Sequence, residues 1–178
     1  MSRIATIPVA EATGAAADLF GRLKKAIGGV PNAFAAIGSL QPAALDSILN
    51  VDAVLASSSL SKKDVETIKL VVSIATGCDY CIAAHSVIGQ MTGLAEDVVK
   101  NLRLGLPTGD AKRDALAAFI RILATTSGTL TEEQFAAIKA AGYSDQQLVE
   151  ISLAISAGIF TNMFNRINDT TLDFPKIR

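Results

Sequence analysis

Apolar residues recur along this chain at the three- and four-residue spacing of amphipathic helices, and no run alternates as a β-strand would. Glycine, proline and short polar residues interrupt the pattern where helices begin or end. The pattern predicts helices at about 9–27, 32–37, 42–56, 62–75, 78–90, 95–104, 111–126, 132–142 and 145–166, with an irregular tail at 170–178. No linker or low-complexity tract divides them. The sequence therefore predicts an all-α protein.

Three of the predicted helix starts carry two polar residues spaced as in a capping box, in which each side chain bonds the other's backbone N–H. The pairs are Ser61 with Asp64, Thr131 with Gln134, and Ser144 with Gln147. At an offset of 83 residues the helices opened by Ser61 and Ser144 also align, so that Ile68 meets Ile151. An internal two-fold repeat of helical hairpins would explain this echo. Chance similarity between amphipathic helices would explain it equally.

The fifth predicted helix holds both cysteines and the one histidine of the chain, with the first cysteine at its start. Cys78, Cys81 and His85 stand in the sequence GCDYCIAAH, and offsets of 0, 3 and 7 share one face of a helix. A helix N-terminus and a nearby imidazole both lower the pKa of a thiol, and the thiolate is the reactive form. The spacing indicates dithiol–disulfide chemistry, and by geometry alone either sulfur could be the activated one.

Glu66 stands twelve residues before Cys78, on the preceding predicted helix. If the two helices pack as a hairpin, its carboxylate returns to the cysteine pair. In an apolar pocket the pKa of Glu66 would rise, which suits a group that accepts a proton near neutral pH. A surface ion pair with Lys62 or Lys69 is the alternative. Tyr80, between the cysteines, could hydrogen-bond within the site or simply pack.

Metal-binding and purely structural interpretations of the cysteines are weaker. Cys78, Cys81 and His85 supply at most three ligands, whereas a structural zinc site needs four. A disulfide across two intervening residues closes a very short loop and adds little stability. A thioredoxin-like site would follow a β-strand, which the pattern lacks. Inert buried cysteines and a histidine without a chemical role remain alternatives, and we predict neither a metal nor a cofactor.

Composition narrows the class of protein. Half of the 178 residues are hydrophobic, but the most apolar late segment contains Glu150 and Asn162, so we expect no membrane span. Surplus apolar surface then predicts a homo-oligomer. The formal charge of −1, with dispersed acids and bases, gives no electrostatic reason to bind nucleic acid. The start, MSRIATIPVAEATG, lacks the apolar core of a secretory signal, which predicts a cytoplasmic, reducing setting.

The pattern E-x11-C-x-x-C-x3-H, formed by Glu66, Cys78, Cys81 and His85, resembles the core signature of the carboxymuconolactone decarboxylase superfamily. The surrounding LSKKDVETIKLVVSIATGCDYCIAAHSVIG is typical of its alkylhydroperoxidase D-like, peroxidase-related branch. The resemblance is strong over about residues 40–90 and looser elsewhere. It implies a single helical domain over residues 1–178, with the active hairpin at about 61–91. It also implies assembly as trimers or hexamers, with the site near subunit contacts.

The resemblance further implies a role for each site residue. Cys81 would be the peroxidatic cysteine that attacks the peroxide, and Cys78 would resolve the resulting sulfenic acid to a disulfide. His85 and Glu66 would form a proton relay that helps to ionise Cys81. An external dithiol would then reduce the disulfide. Because the motif is C-D-Y-C here and resembles C-S-H-C in the lipoamide-linked members, a lipoyl protein is only one candidate for that reductant.

The sequence therefore predicts a thiol-dependent peroxidase that reduces organic hydroperoxides or hydrogen peroxide. A non-enzymatic redox-sensing oligomer is the first alternative, because the chain combines a thiol pair with a high apolar content. A decarboxylase or lactone-processing enzyme, as in the name-giving members of the superfamily, is the second. Those members generally resemble sequences without the C-x-x-C pair, which argues against it.

Overall fold

The computed structural model describes residues 1–175, and this part of the chain forms helices and no β-strand. The α-helices are α1 (Gly14–Ile27), α2 (Asn32–Leu40), α3 (Pro42–Ala56), α4 (Lys62–Thr76), α5 (Asp79–Met91), α6 (Glu96–Leu104), α7 (Ala111–Thr125), α8 (Glu132–Ala140) and α9 (Asp145–Asn168). The predicted all-α class is confirmed. Residues 170–175 are irregular as predicted, and residues 176–178 of that tail lie outside the described part.

The predicted start of the first helix is wrong. Val9–Glu11 forms a separate 3₁₀ turn, and α1 begins only at Gly14. Gly14 has a φ of +57°, a left-handed conformation that glycine adopts without strain, and the preceding Thr13 is extended. The apolar spacing continues across this break because Val9 and Ala12 pack on the same cluster as α1. The apolar spacing over residues 9–27 therefore reflects packing on one shared core and not a single continuous helix.

All three predicted capping boxes are present. At the start of α4, the Asp64 backbone N–H donates to Ser61 Oγ at 3.1 Å, and the Ser61 backbone N–H donates to Asp64 Oδ2 at 3.3 Å. A cap of this kind stabilises a helix by about 1 kcal/mol. It also fixes where α4 begins, and therefore which of its residues point inward. Common ancestry of the hairpins opened by Ser61 and Ser144 stays a prediction.

Helix α4 is the central element, because it contacts α5, α6, α7 and α9. Its buried side chains lie on all sides of the helix and not along one stripe. They are Val65, Glu66, Thr67, Ile68, Leu70, Val71, Val72 and Ser73. The main hydrophobic core forms around them, and a smaller cluster joins α1, α2 and α3. A carboxylate in the middle of α4 is consequently placed inside the protein.

A tight turn connects α4 to α5. Gly77 ends α4 in the left-handed conformation, with φ +67° and ψ +39°, and Cys78 follows as the N-cap of α5. Further along α5, a Cβ atom at Gly89 would lie 3.1 Å from Leu94 Cδ1 and 3.9 Å from Glu66 Cβ. Glycine at this position leaves room for the side chain of Leu94, whereas the distance to Glu66 is that of an ordinary van der Waals contact. The hairpin therefore packs α5 directly against the buried carboxylate.

Helix α9 is the one helix in residues 1–175 that is long and apolar enough, by length and composition only, to cross a membrane. In this fold it packs on α3, α4 and α5 and buries Asn162, Asn165 and Asn168. Its other side leaves Phe160 and Met163 exposed. These exposed apolar side chains motivate the predicted oligomer, which stays a prediction.

Candidate functional site

Cys78 and Cys81 form a disulfide at the N-terminus of α5, with their Cα atoms 5.3 Å apart. The sulfur of Cys78 acts as the helix cap, because it accepts a hydrogen bond from the Cys81 backbone N–H at 3.3 Å. Both sulfurs lie at the positive end of the helix dipole, which favours a thiolate once the bond is reduced. Cys78 is 1% and Cys81 3% exposed. The structure therefore shows an enclosed, oxidised pair.

Glu66 and His85 form a polar pair between α4 and α5. His85 Nδ1 lies 2.9 Å from Glu66 Oε2. Because a carboxylate only accepts, Nδ1 carries the hydrogen, and in the neutral ring Nε2 is left as the proton-accepting nitrogen. Lys69 pairs instead with Asp52, at 2.7 Å, so the alternative of a surface Glu–Lys pair is wrong. The hairpin thus brings the predicted carboxylate and imidazole into direct contact.

The predicted rise in the pKa of Glu66 is wrong in sign. Burial would raise that pKa, but the charge and hydrogen bond of His85 and the charge of Lys69 together lower it below its usual range. Glu66 is therefore an ionised carboxylate at neutral pH, and not a base poised near it. What it can do is hold the imidazole in one orientation and keep the hydrogen on Nδ1.

The C-terminal residues 170–175, called the strap here, cover the disulfide. Leu172 and Phe174 of the strap pack on a cluster formed by the two cysteines with Ala33 and Tyr80. The rings of Tyr80 and Phe174 meet edge to face, with centroids 5.6 Å apart. Apolar side chains therefore separate the sulfurs from solvent on this side.

Tyr80 both packs and hydrogen-bonds within the site, so the two roles that the sequence left open for it occur together. Its Oη accepts from the Ala33 backbone N–H at 3.2 Å. Burial raises the pKa of Tyr80, the bond from Ala33 opposes this rise, and nearby Asp173 adds to it. The phenol is therefore protonated at neutral pH. Asp173 itself accepts from the Asn32 N–H at 2.7 Å, and Asn32 Nδ2 donates to Thr171 O, so two bonds join the strap to the start of α2.

Removing the aromatic ring of the strap should expose the disulfide. We expect Phe174→Ala to be reduced severalfold faster by a water-soluble phosphine, because the ring that packs on Tyr80 is gone. The measurement is the rate of thiol appearance at a fixed phosphine concentration. Phe135→Ala, on α8 and already 47% exposed, is the matched control and should keep the native rate. Equal rates in all three proteins would show that the strap does not limit access.

Asn165 is a site residue that the sequence did not predict, and its Nδ2 lies 3.4 Å from Cys81 Sγ. The signal was the repeat of Asn162, Asn165 and Asn168 at three-residue spacing within an apolar helix. Inward-facing amides in such a helix require hydrogen-bond partners. Asn162 finds its partner on α4, at Thr76 Oγ1, 2.9 Å away. The spacing could have marked the helix face, but not which amide meets a sulfur.

Within residues 1–175, no group of three or more His, Cys, Asp or Glu side chains is arranged to hold a metal ion. Two shallow surface hollows are lined by residues 129–132 with Phe135, and by residues of α7 and α8. None of these residues belongs to the cluster around the cysteines. The disulfide with its Glu66–His85 pair is consequently the candidate site.

Comparison with known proteins relates part of this chain to a family of known sequences. Residues 42–121 match the sequence profile of the carboxymuconolactone decarboxylase family. The matched span runs from the start of α3 into α7 and includes Glu66, Cys78, Cys81 and His85. Among proteins of curated function, none matches the sequence.

Several solved structures share the fold. An alkylhydroperoxidase AhpD core protein from Ralstonia eutropha JMP134, peroxidase-related and uncharacterized, has a TM-score of 0.84 and 19% identity over 97% of this chain and 92% of its own. An uncharacterized peroxidase-related protein from Silicibacter sp. TM1040 has a TM-score of 0.82 and 20% identity over 96% of this chain and 91% of its own. The debrominase Bmp8, in complex with 2,3,4-tribromopyrrole, has a TM-score of 0.81 and 19% identity over 97% of this chain and 94% of its own. These likenesses establish the alkylhydroperoxidase D-like helical fold.

Proposed function

Because this chain belongs to the carboxymuconolactone decarboxylase superfamily and has the alkylhydroperoxidase D-like fold, we propose that it is a thiol-dependent peroxidase. Its substrates are organic hydroperoxides or hydrogen peroxide, and it works through a dithiol–disulfide cycle of Cys78 and Cys81. The observation that carries the proposal is the disulfide at the N-terminus of α5, in the same hairpin as the buried Glu66–His85 pair.

The cycle has two steps on the protein, oxidation of Cys81 by the peroxide and then condensation of the product with Cys78. The Cys81 thiolate attacks one peroxide oxygen, so that an S–O bond forms, the O–O bond breaks, and the alkoxide leaves as an alcohol after taking a proton. Cys81 is then a sulfenic acid, oxidised by two electrons. The Cys78 thiol attacks that sulfur, so that the S–S bond forms, the S–O bond breaks and water leaves. An external dithiol regenerates both thiols by exchange.

His85 and Glu66 carry the protons of this cycle. His85 follows Cys81 by four residues and lies on the same face of α5. Its Nε2 takes the thiol proton, directly or through one water, and returns it to the departing alkoxide. Glu66 holds the opposite nitrogen at 2.9 Å and so keeps Nε2 turned to its task. This division assigns the base to His85 and the orientation to the carboxylate.

We also propose a reductant, an assembly state and a cellular compartment. A lipoyl protein is one candidate for the external dithiol, and the homo-oligomer is a trimer or hexamer. Exposed apolar side chains on α9, at Phe160, Met163 and Ile167, offer a surface for assembly. A reducing cytoplasm would supply the electrons that the cycle needs.

The function is tested by steady-state consumption of cumene hydroperoxide and hydrogen peroxide, with dihydrolipoamide or dithiothreitol as reductant. 2,3,4-Tribromopyrrole is assayed in parallel, because a debrominase shares the fold. Peroxide turnover without bromide release supports the proposal. Bromide release without peroxide turnover would replace it with reductive dehalogenation by the same thiols.

The redox-sensing oligomer is the second candidate, and the strap favours it. Leu172 and Phe174 pack on the disulfide cluster, so breaking the bond alters the surface on which they rest. A change of assembly state on reduction, with no peroxide turnover, would select this function. A decarboxylase or lactone-processing enzyme would instead remain active after both cysteines are replaced.

A further inference from the structure

We propose that Asn165 is a catalytic residue, whose side-chain amide donates a hydrogen bond to Cys81 Sγ and stabilises that sulfur in its ionised state. The inference rests on the proposed function, in which the Cys81 thiolate is the nucleophile. What it adds is that one amide on α9 selects which of two neighbouring sulfurs ionises.

The side chain of Asn165 is buried and hydrogen-bonds to the sulfur of Cys81. It is 4% exposed, and its Nδ2 lies 3.4 Å from Cys81 Sγ. In the described part of the chain its Oδ1 is buried and has no hydrogen-bond partner. A buried amide with an unpaired carbonyl is unfavourable for the fold. The hydrogen bond that this side chain makes in residues 1–175 is therefore the one to the sulfur.

Asn162, one turn earlier on the same helix, shows what a structural amide looks like here. It is fully buried, and its Nδ2 donates to Thr76 Oγ1 at 2.9 Å and to Ser73 Oγ at 3.4 Å. These bonds join α9 to α4. Asn165 shares its burial, its helix and its side of that helix, but its amide meets a redox-active sulfur instead. The two residues form a natural pair for comparison.

The bond from Asn165 strengthens as the sulfur becomes anionic. A disulfide sulfur is a weak acceptor, whereas hydrogen bonds to an ionised acceptor are roughly twice as strong as neutral ones. The sulfur of Cys78 already has a donor, the Cys81 backbone N–H at 3.3 Å. By itself, this bond from the helix terminus favours ionisation of Cys78. The amide shifts the balance toward Cys81.

Charged and titratable groups also lie on the elements around the dithiol. They are Glu66 and Lys69 on α4, Asp79, Tyr80 and His85 on α5, and Asp173 in the strap. On α9, the neighbouring charged residues Arg166 and Asp169 are exposed. Asn165 is uncharged, so replacing it with another neutral residue removes the donor without altering this field.

The test measures ionisation of Cys81 alone, in a Cys78→Ser background with one thiol per chain. The rate of alkylation by iodoacetamide is followed against pH, with mass spectrometry to count the adducts. Asn165→Leu keeps the size of the side chain and removes the donor, so we expect the midpoint to move to higher pH. At a pH below the midpoint, each unit of that shift slows alkylation about tenfold, because only the thiolate reacts. Asn162→Ala is the control and should leave the midpoint unchanged.

A second measurement uses the intact dithiol and no peroxide. A donor to the thiolate stabilises the reduced form, so Asn165→Leu should increase the oxidised fraction at a fixed ratio of reduced to oxidised glutathione. Asn165→Ala is read in the same two assays, so that the result does not depend on one folded variant. Unchanged midpoints and oxidised fractions in both variants overturn the inference. Shifted values in a protein without peroxide turnover would overturn the proposed function and leave the role of Asn165 standing.

Discussion

Replacing Cys81 with serine should abolish peroxide consumption, with a fall on the order of 10³-fold or more, and leave the fold intact. The variant lacks the sulfur on which the S–O bond forms, and a hydroxyl group cannot be oxidised in its place. The helix start should survive, because the cap of α5 is the sulfur of Cys78 and the backbone N–H at position 81 remains. The measurement is peroxide loss under steady-state reduction, with circular dichroism to verify the fold.

Cys78→Ser is the matched control for that experiment, because it removes the partner sulfur and keeps the attacking one. It should react once with peroxide and stop at a sulfenic acid, which dimedone traps as one adduct per chain. If Cys81→Ser reacts once and Cys78→Ser does not react, the two roles are reversed. If both variants keep full turnover, the dithiol is not the site.

Replacing Glu66 with glutamine should slow the reaction with peroxide about 10²–10⁴-fold at neutral pH, the range that a positioned acid–base group contributes. The substitution keeps the size of the side chain and removes the charge that holds His85 Nδ1 at 2.9 Å. The imidazole then loses the partner that fixes its tautomer, and Nε2 is no longer reliably the accepting nitrogen. The measurement is the single-turnover rate of thiol oxidation in Glu66→Gln against the native protein.

The same variant should alter stability in acid. The folded-state pKa of Glu66 lies below its ordinary value of 4.5, so its ionised form contributes stability that is present above about pH 4.5. That contribution is lost as the pH falls through the lowered folded value. Urea unfolding between pH 7 and pH 3 should therefore show the native protein losing a term that Glu66→Gln lacks.

Glu150→Gln is the control for the effect on rate. Glu150 is a partly exposed acid on α9, near the start of α4. Burial acts to raise its pKa, but hydrogen bonds from Ser59, Gln146 and Leu60 together lower it. Its replacement should leave the rate of peroxide reaction unchanged. An equal loss of rate in both glutamine variants would show that the effect is one of general charge and would contradict the role given to Glu66.

The features that the sequence predicted well depend on short-range chemistry. Ser61 with Asp64 fixes a helix start because both partners lie within one turn, and Gly77 ends the same helix through its own backbone. Cys78 and Cys81 share a face of α5 by spacing alone. Glu66 was placed correctly because a hairpin brings two consecutive helices together.

The features that escaped prediction depend on partners distant in sequence. The sign of the Glu66 pKa shift is set by the charges of His85 and Lys69 against burial, and spacing does not weigh those terms. Asn165 reaches Cys81 across 84 residues of sequence. The strap has no periodicity to read, and its position over the disulfide follows from its packing on Tyr80 and its bonds to Asn32.

The most direct test of the central claim is rapid mixing of the fully reduced protein with cumene hydroperoxide, with thiols and peroxide counted together. The proposed cycle predicts the loss of two thiols and one hydroperoxide per chain, far faster than a small free thiol reacts, with a disulfide as product. Oxidation no faster than that of a free thiol, or loss of thiols without matching loss of hydroperoxide, would contradict it.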